Sequence, residues 1–196
     1  SQSSYNIRIR TTDNGTGTLY YEEAITITIT DVNEAPTDIS LSSTSVNENE
    51  SSGTTVGTLS STDVDASDSH TYTLVSGSGS THNSSFNISG SNLQTAASFN
   101  FEVKNSYSIR IRTTDSGGLT YEEAFTITIV NVNDAPVITS NSGGSTASIS
   151  YAENSTSTVT TVASTDEDGD TRTYTKSGTD AGAFNIGSSS GTLTFA

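Results

Sequence analysis

Apolar and polar residues alternate with period two along much of this chain. Tyr107, Ile109 and Ile111 share one parity while Arg110 and Arg112 hold the other, and Phe125, Ile127 and Ile129 stand opposite Thr126 and Thr128 in the same way. Successive side chains of a strand point to opposite faces, so this pattern predicts half-buried strands with a core side and a wet side. Strands are predicted at Asp38–Ser42, Thr55–Leu59, His70–Val75, Phe86–Ile88, Asn92–Thr95, Ser106–Thr114 and Thr120–Val130, with Gly, Ser, Asn and Asp between them. Seven short strands separated by turn residues predict an all-β fold, an antiparallel Greek-key, immunoglobulin-like sandwich. Glu123 falls on the apolar parity of its strand, and a bulge or an edge position is expected to accommodate it. No stretch has helical periodicity.

The pattern recurs. Tyr5–Asp13 returns as Tyr107–Asp115, Tyr21–Ile29 as Tyr121–Ile129, Ser61–Asp65 as Ser164–Asp168 and Phe86–Ile88 as Phe184–Ile186. The spacing is about 100 residues, the size of one sandwich domain. The repeat predicts one complete module over 37–133, preceded at 1–33 by the last two strands of another and followed at 137–196 by the first five strands of a third. Two arrangements fit this layout. In one, the chain is an excerpt of a longer repetitive polypeptide. In the other, molecules join head to tail, the open C-terminal sandwich accepting two strands from the next copy by strand addition.

Composition narrows the function. Asp and Glu number 22 against 7 Lys and Arg, for a formal net charge of −15. Nucleic acid and anionic lipid both need a cationic surface, so neither is an expected partner, whereas cations are. Hydrophobic residues make up only 30% of the chain, a level that disordered segments share, but their period-two alternation argues for folding. Cysteine is absent, so no disulfide framework holds the modules and a metal is the remaining staple. No apolar run approaches the ~18 residues a membrane helix needs.

Oxygen-bearing side chains gather where strands end. Asp31-Val-Asn-Glu-Ala-Pro36 and Asn131-Val-Asn-Asp-Ala-Pro136 each follow a Thr/Ile strand and end on a proline, which cannot donate to a ladder and stiffens entry into the next strand. Asn47-Glu48-Asn49, Asn100-Phe101-Glu102, Asp63-Val-Asp65 and Asp166-Glu-Asp168 supply further donors, and Asp115 ends a strand. A Ca²⁺ ion takes six to eight oxygens and mixes carboxylates with carbonyls, which such clusters can provide.

This order of motifs resembles the cadherin repeat in its bacterial cadherin-like form, over essentially the entire chain. The family has a Glu in an early step, an acidic pair before the sixth strand, an Asp-Xaa-Asn-Asp-type linker, an Asp-Xaa-Asp step in the following module and an Asp ending that module's sixth strand. The resemblance implies tandem seven-stranded sandwiches stiffened by Ca²⁺ at their joints, in an extracellular or cell-surface adhesin or fibre protein. It implies Glu48, Asn100, Glu102, Asn133, Asp134, Asp166 and Asp168 as ligands after the complete module, and Asp31, Asn33, Glu34, Asp63, Asp65 and Asp115 before it. Asn100 and Asn131 stand where the family has Asp, which removes charge at that joint. Asp13 and Glu153 match ligands of joints whose other halves are not in the sequence. Asp68 and Asp170 are expected to be solvated neighbours.

Two other functional classes compete with this reading. Tyr20, Tyr21 and Tyr121 could stack on sugars, making a carbohydrate-binding module the alternative, although Tyr21 and Tyr121 also suit a core plug. Glycans or other cell-surface proteins are then further candidate partners, beside neighbouring repeats or copies of the chain. Enzyme activity is not expected: His70 and His82 are the only histidines and form no Ser-His-Asp order or metal-histidine cluster.

Overall fold

The computed structural model describes residues 3–17 and 19–196; Ser1, Gln2 and Thr18, within the segment read as the tail of a preceding module, lie outside the described residues. The chain is all-β, with short 3₁₀ turns and no α-helix among the described residues. Strands β1 (Ser4–Thr12) and β2 (Tyr20–Thr28) form an antiparallel hairpin.

The complete sandwich has two four-stranded sheets. One has the order β3 (Asp38–Leu41), β5 (Thr55–Thr62), β8 (Asn92–Thr95), β7 (Phe86–Ser89). The other has the order β4 (Ser45–Asn47), β10 (Thr120–Val130), β9 (Ser106–Thr114), β6 (Thr71–Leu74). The alternation seen in the sequence decides which side chains meet between them. Ile109, Ile111, Ile127 and Ile129 from β9 and β10 are all 0% exposed, against Ile39, Leu59, Phe86 and Leu93 of the facing sheet. Full burial of each such side chain is worth about 1.5–3 kcal/mol, so this face dominates the module's stability. Phe99 fills the end of the core, its ring centroid 4.6 Å from that of Tyr107.

The first strand of the module is split, which the alternation alone did not predict. β3 pairs antiparallel with β5, then the chain crosses over and β4 pairs parallel with β10 at Ser45↔Thr128 through Asn47↔Val130. The crossing passes so close to Gly57 that a Cβ there would sit 2.7 Å from the Ser43 carbonyl, and the β5–β8 register shifts between Thr55 and Gly57. Glu123 is accommodated by position: β9 and β10 pair without a register shift, and β4 covers only the far end of β10. Its Oε2 accepts the Ile39 N–H at 3.3 Å, reaching across to the other sheet.

Beyond the linker, β11 (Val137–Ile138) pairs with β13 (Ser164–Thr165), and β15 (Thr192–Phe195) lies between β12 (Thr160–Thr161) and β14 (Phe184–Ile186). The repeat is visible in side-chain detail: Ser61 Oγ bonds Tyr72 Oη at 3.1 Å, and Ser164 Oγ bonds Tyr174 Oη at 2.9 Å. Residues 172–176, the counterpart of β6, form no strand, and neither do 150–152, the counterpart of β4.

Candidate metal centre

Two groups of acids gather at the tips of the complete sandwich. At the end facing the third segment, Glu48 follows directly on β4 and is 2% exposed. Its Oε2 accepts the Phe101 N–H at 2.7 Å and its Oε1 the Val132 N–H at 2.8 Å, so one carboxylate fastens the acidic-pair segment and the linker to β4. Asn49, in the left-handed region at φ 60°, turns its Nδ2 onto Asp134 Oδ1 at 2.9 Å. Carboxylate oxygens of Glu48, Glu102 and Asp134 lie within 4.8 Å of one another. The third segment joins through Asp168, whose Oδ2 accepts the Asp134 N–H at 2.6 Å, and through Glu167, whose Oε2 takes the Asn100 Nδ2 at 2.6 Å.

The remaining residues expected here sit around that group. Asn100 Oδ1 accepts the Val103 N–H, Asn131 Nδ2 reaches Glu102 Oε1 at 3.4 Å, and Asn133 Nδ2 donates to its neighbour's carbonyl. Asp166 is turned to its own loop, where its Oδ1 accepts the Asp170 N–H at 3.1 Å.

At the opposite tip, Asp115 closes β9 and is 6% exposed. Its Oδ1 accepts the Leu119 N–H at 2.8 Å and its Oδ2 the Asn33 Nδ2 at 3.0 Å, which ties the linker to the module. Asp65 Oδ2 accepts the Glu34 N–H at 2.8 Å, the same contact that Asp168 makes with Asp134. Asp63 accepts the Asp65 N–H through Oδ1 and pairs with His70 Nε2 at 3.1 Å through Oδ2. Asp31 and Glu34 are exposed, and Asp31 lines a shallow cavity of about 180 Å³ with Asn33, Asp65 and Asp68.

Here the structure corrects an expectation. Asp68 is half-buried instead of solvated, and its carboxylate lies within 4.8 Å of those of Asp63 and Asp115. Its signal in the sequence was recurrence, since Asp68 precedes Tyr72 by the same interval as Asp170 precedes Tyr174. Nothing in the sequence marked Glu167 as a cross-joint contact or His70 as the partner of Asp63.

The electrostatics agree with the geometry. Loss of hydration, then Glu48, Asp168 and Glu167, raises the Asp134 carboxyl above its ordinary range. Loss of hydration, with Glu48, Asp168 and Asp134, raises Glu102 too, and the same cause with Asp65 and Asp31 raises Glu34. Asp63 is lowered by the Asp65 N–H and by His70. Among the described residues no lysine or arginine pairs with any of these acids; the ion pairs of Arg8, Arg10, Arg110 and Arg112 go to Glu22 and Glu122. Asp134 Oδ2 and Asp68 Oδ2 are sealed from solvent without a hydrogen-bond partner. A buried carboxylate oxygen in that state needs a cation or a proton, so the donor set fits a hard divalent ion.

Residues 42–133 match the family model of the cadherin domain. No curated protein sequence matches the chain. Among solved structures, protocadherin gammaB7 EC3-6 is 22% identical with a TM-score of 0.60, covering 99% of this chain and 50% of that one. PcdhgB3 EC1-4 is 18% identical with a TM-score of 0.61, covering 100% of this chain and 49% of that one. Mouse cadherin-23 EC22-24 is 24% identical with a TM-score of 0.58, covering 99% of this chain and 64% of that one. The chain thus spans about half the length of the first two and under two thirds of the third.

Proposed function

We propose that residues 42–133, which match the cadherin domain model, form an extracellular adhesive or structural repeat module, and that the joints on either side of it are Ca²⁺ sites that stiffen the chain. The observation that carries this reading is the pair of carboxylate clusters at the two tips, each with a sealed, unpartnered oxygen and, among the described residues, no lysine or arginine paired to it. Glu48, Glu102, Asp134 and Asp168, with Asn100, Asn133 and Asp166 beside them, would hold ions after the domain. Asp31, Asn33, Glu34, Asp63, Asp65 and Asp115 would do so before it. Bound Ca²⁺ supplies positive charge that cancels the mutual repulsion of these acids. The linker N–H groups of Glu34 and Asp134 are already bonded to the module beyond, so neutralising the clusters removes what opposes a fixed angle.

The outer segments extend the proposal to assembly. Among the described residues β1 and β2 present Ile7, Ile9, Ile25 and Ile27 with no second sheet over them, and the third segment offers a cavity of about 350 Å³ lined by Pro136, Ile138, Val162, Tyr174 and Ile186. In the complete sandwich β6 receives β9 at Tyr72↔Thr113 and Leu74↔Ile111, so residues 172–176 would receive a hairpin of the β1–β2 type from a neighbouring repeat or a second copy. Exposure of Tyr20 and Tyr21 does not favour the carbohydrate reading, because Tyr121, the counterpart of Tyr21, packs against the core.

Thermal melting and small-angle scattering in millimolar Ca²⁺ and in chelator test the proposal. Extracellular sites of this type bind at roughly 10⁻⁴ to 10⁻³ M, so Ca²⁺ at several millimolar should raise the melting temperature by several degrees and lengthen the particle. Identical melting and identical dimensions in the two buffers would refute it.

A further inference from the structure

We infer that Asp68 is a direct metal ligand, and that it makes the site before the complete module a tighter cation site than the one after it. The inference rests on the Ca²⁺ reading above but concerns a residue outside the ligand set drawn there. Three carboxylates from two separate loops, Asp63, Asp68 and Asp115, bring oxygens within 4.8 Å of one another. Two of the three are fully engaged: Asp115 by the Leu119 N–H and the Asn33 amide, Asp63 by the Asp65 N–H and His70.

Asp68 differs. Its Oδ1 takes the Ser116 hydroxyl at 2.7 Å, which fixes the carboxylate against the loop after β9, while its Oδ2 is closed off from water with no donor on it. The backbone turn in which the Asp68 N–H bonds the Asp65 carbonyl at 2.9 Å holds the residue in that inward position. An ionised oxygen shut away from water beside two other carboxylates is costly unless a cation completes it. Because His70 is, among the described residues, the only basic side chain bonded to the group, a divalent ion is the species that fits.

The repeat supplies an internal control. Asp170 occupies the equivalent place in the third segment, but it is exposed and is held through its backbone, its N–H bonding Asp166 Oδ1 and its carbonyl accepting from Arg172 Nη1. Affinity at oxygen sites rises with the number of charged ligands, so the earlier site should exceed the later one.

Calorimetric titration of the whole chain with CaCl₂, with terbium luminescence as a second readout, tests this. Asp68→Asn retains an oxygen for Ser116 and should weaken the tightest binding step about tenfold while raising the metal-free melting temperature slightly, since a sealed charge with no counter-ion is removed. Asp170→Asn should leave that step where it is. If wild type binds Ca²⁺ and Asp68→Asn binds equally well, or if Asp68→Asn lowers the metal-free melting temperature, the ligand role of Asp68 is overturned while the Ca²⁺ reading stands. If wild type takes up no Ca²⁺, both fall.

Discussion

Two hairpins of nearly the same sequence meet opposite fates in this molecule. β1–β2 and β9–β10 share the run Ile-Arg-Ile-Arg-Thr-Thr and the Tyr-Glu-Glu-Ala that follows, and they pair in the same register, Tyr5↔Ile27 matching Tyr107↔Ile127 and Ile9↔Glu23 matching Ile111↔Glu123. In both, a Glu on the second strand takes two arginines of the first. Yet Ile7 and Ile27 are each 45% exposed, whereas Ile109 and Ile127 are 0% exposed. Pairing and cross-strand charge are therefore local properties of the hairpin. Burial belongs to the second sheet, which among the described residues covers the later hairpin and not the earlier one.

The third segment teaches the same from the other side. Among the described residues it has the facing sheet in small form and no counterparts of β9 and β10. The stretches that fail to become strands there, 150–152 and 172–176, are the counterparts of β4 and β6, the two strands that pair with those missing partners. Backbone N–H and C=O groups need partners, so a strand without a neighbour is not stable as a strand.

The largest test of this contrast is a matched pair of truncations. Ile127→Ala should cost about 2–5 kcal/mol in denaturant unfolding of the complete sandwich, whereas Ile27→Ala, at concentrations where the chain is monomeric, should cost about 0.5 kcal/mol or less. Equal losses at higher concentrations would mean the first hairpin is covered in solution, as strand completion by another copy requires.

A second test lies at the joint. Asp134 is held above the ordinary carboxyl range, so its contribution to stability is present below that range and is lost as pH rises through its folded value. In chelator at pH 7, Asp134→Asn should therefore raise the melting temperature by a few degrees, the gain vanishing near pH ~4. In millimolar Ca²⁺ the same substitution should lower it, because a ligand charge is lost. A shift of the same sign in both buffers would break the assignment of Asp134 to a metal site.

The smallest expected effect compares the two arginine-paired glutamates. Arg110 and Arg112 hold Glu122 below the ordinary range, so its contribution is present at neutral pH and fades as pH falls through its folded value. Glu122→Gln should lower the unfolding midpoint of the complete sandwich slightly at pH 7 and have no effect near pH ~3. Glu22→Gln, in the uncovered hairpin, should leave that midpoint unchanged at either pH.

Much of the site was legible because its donors sit at strand ends, where alternation stops and carboxylates recur in repeat order. Glu48, Asp115 and Asp134 were visible as isolated acids in such loops. That Glu48 is almost fully buried and grips two backbone N–H groups was not, because both come from segments more than 50 residues away. Asp68 looked like one acid among many in a polar loop until β9 brought Ser116 against it.

The sequence by itself determined the strands, their pairing within each hairpin, the repeat and the acids gathered at its joints, since period-two alternation and turn residues act over a few positions. Tertiary structure alone decided which of two nearly identical hairpins is buried, where the first strand changes sheets, and which carboxylates are closed off from water. Those outcomes depend on what a distant part of the chain lays against each segment, and one short stretch cannot encode its own covering.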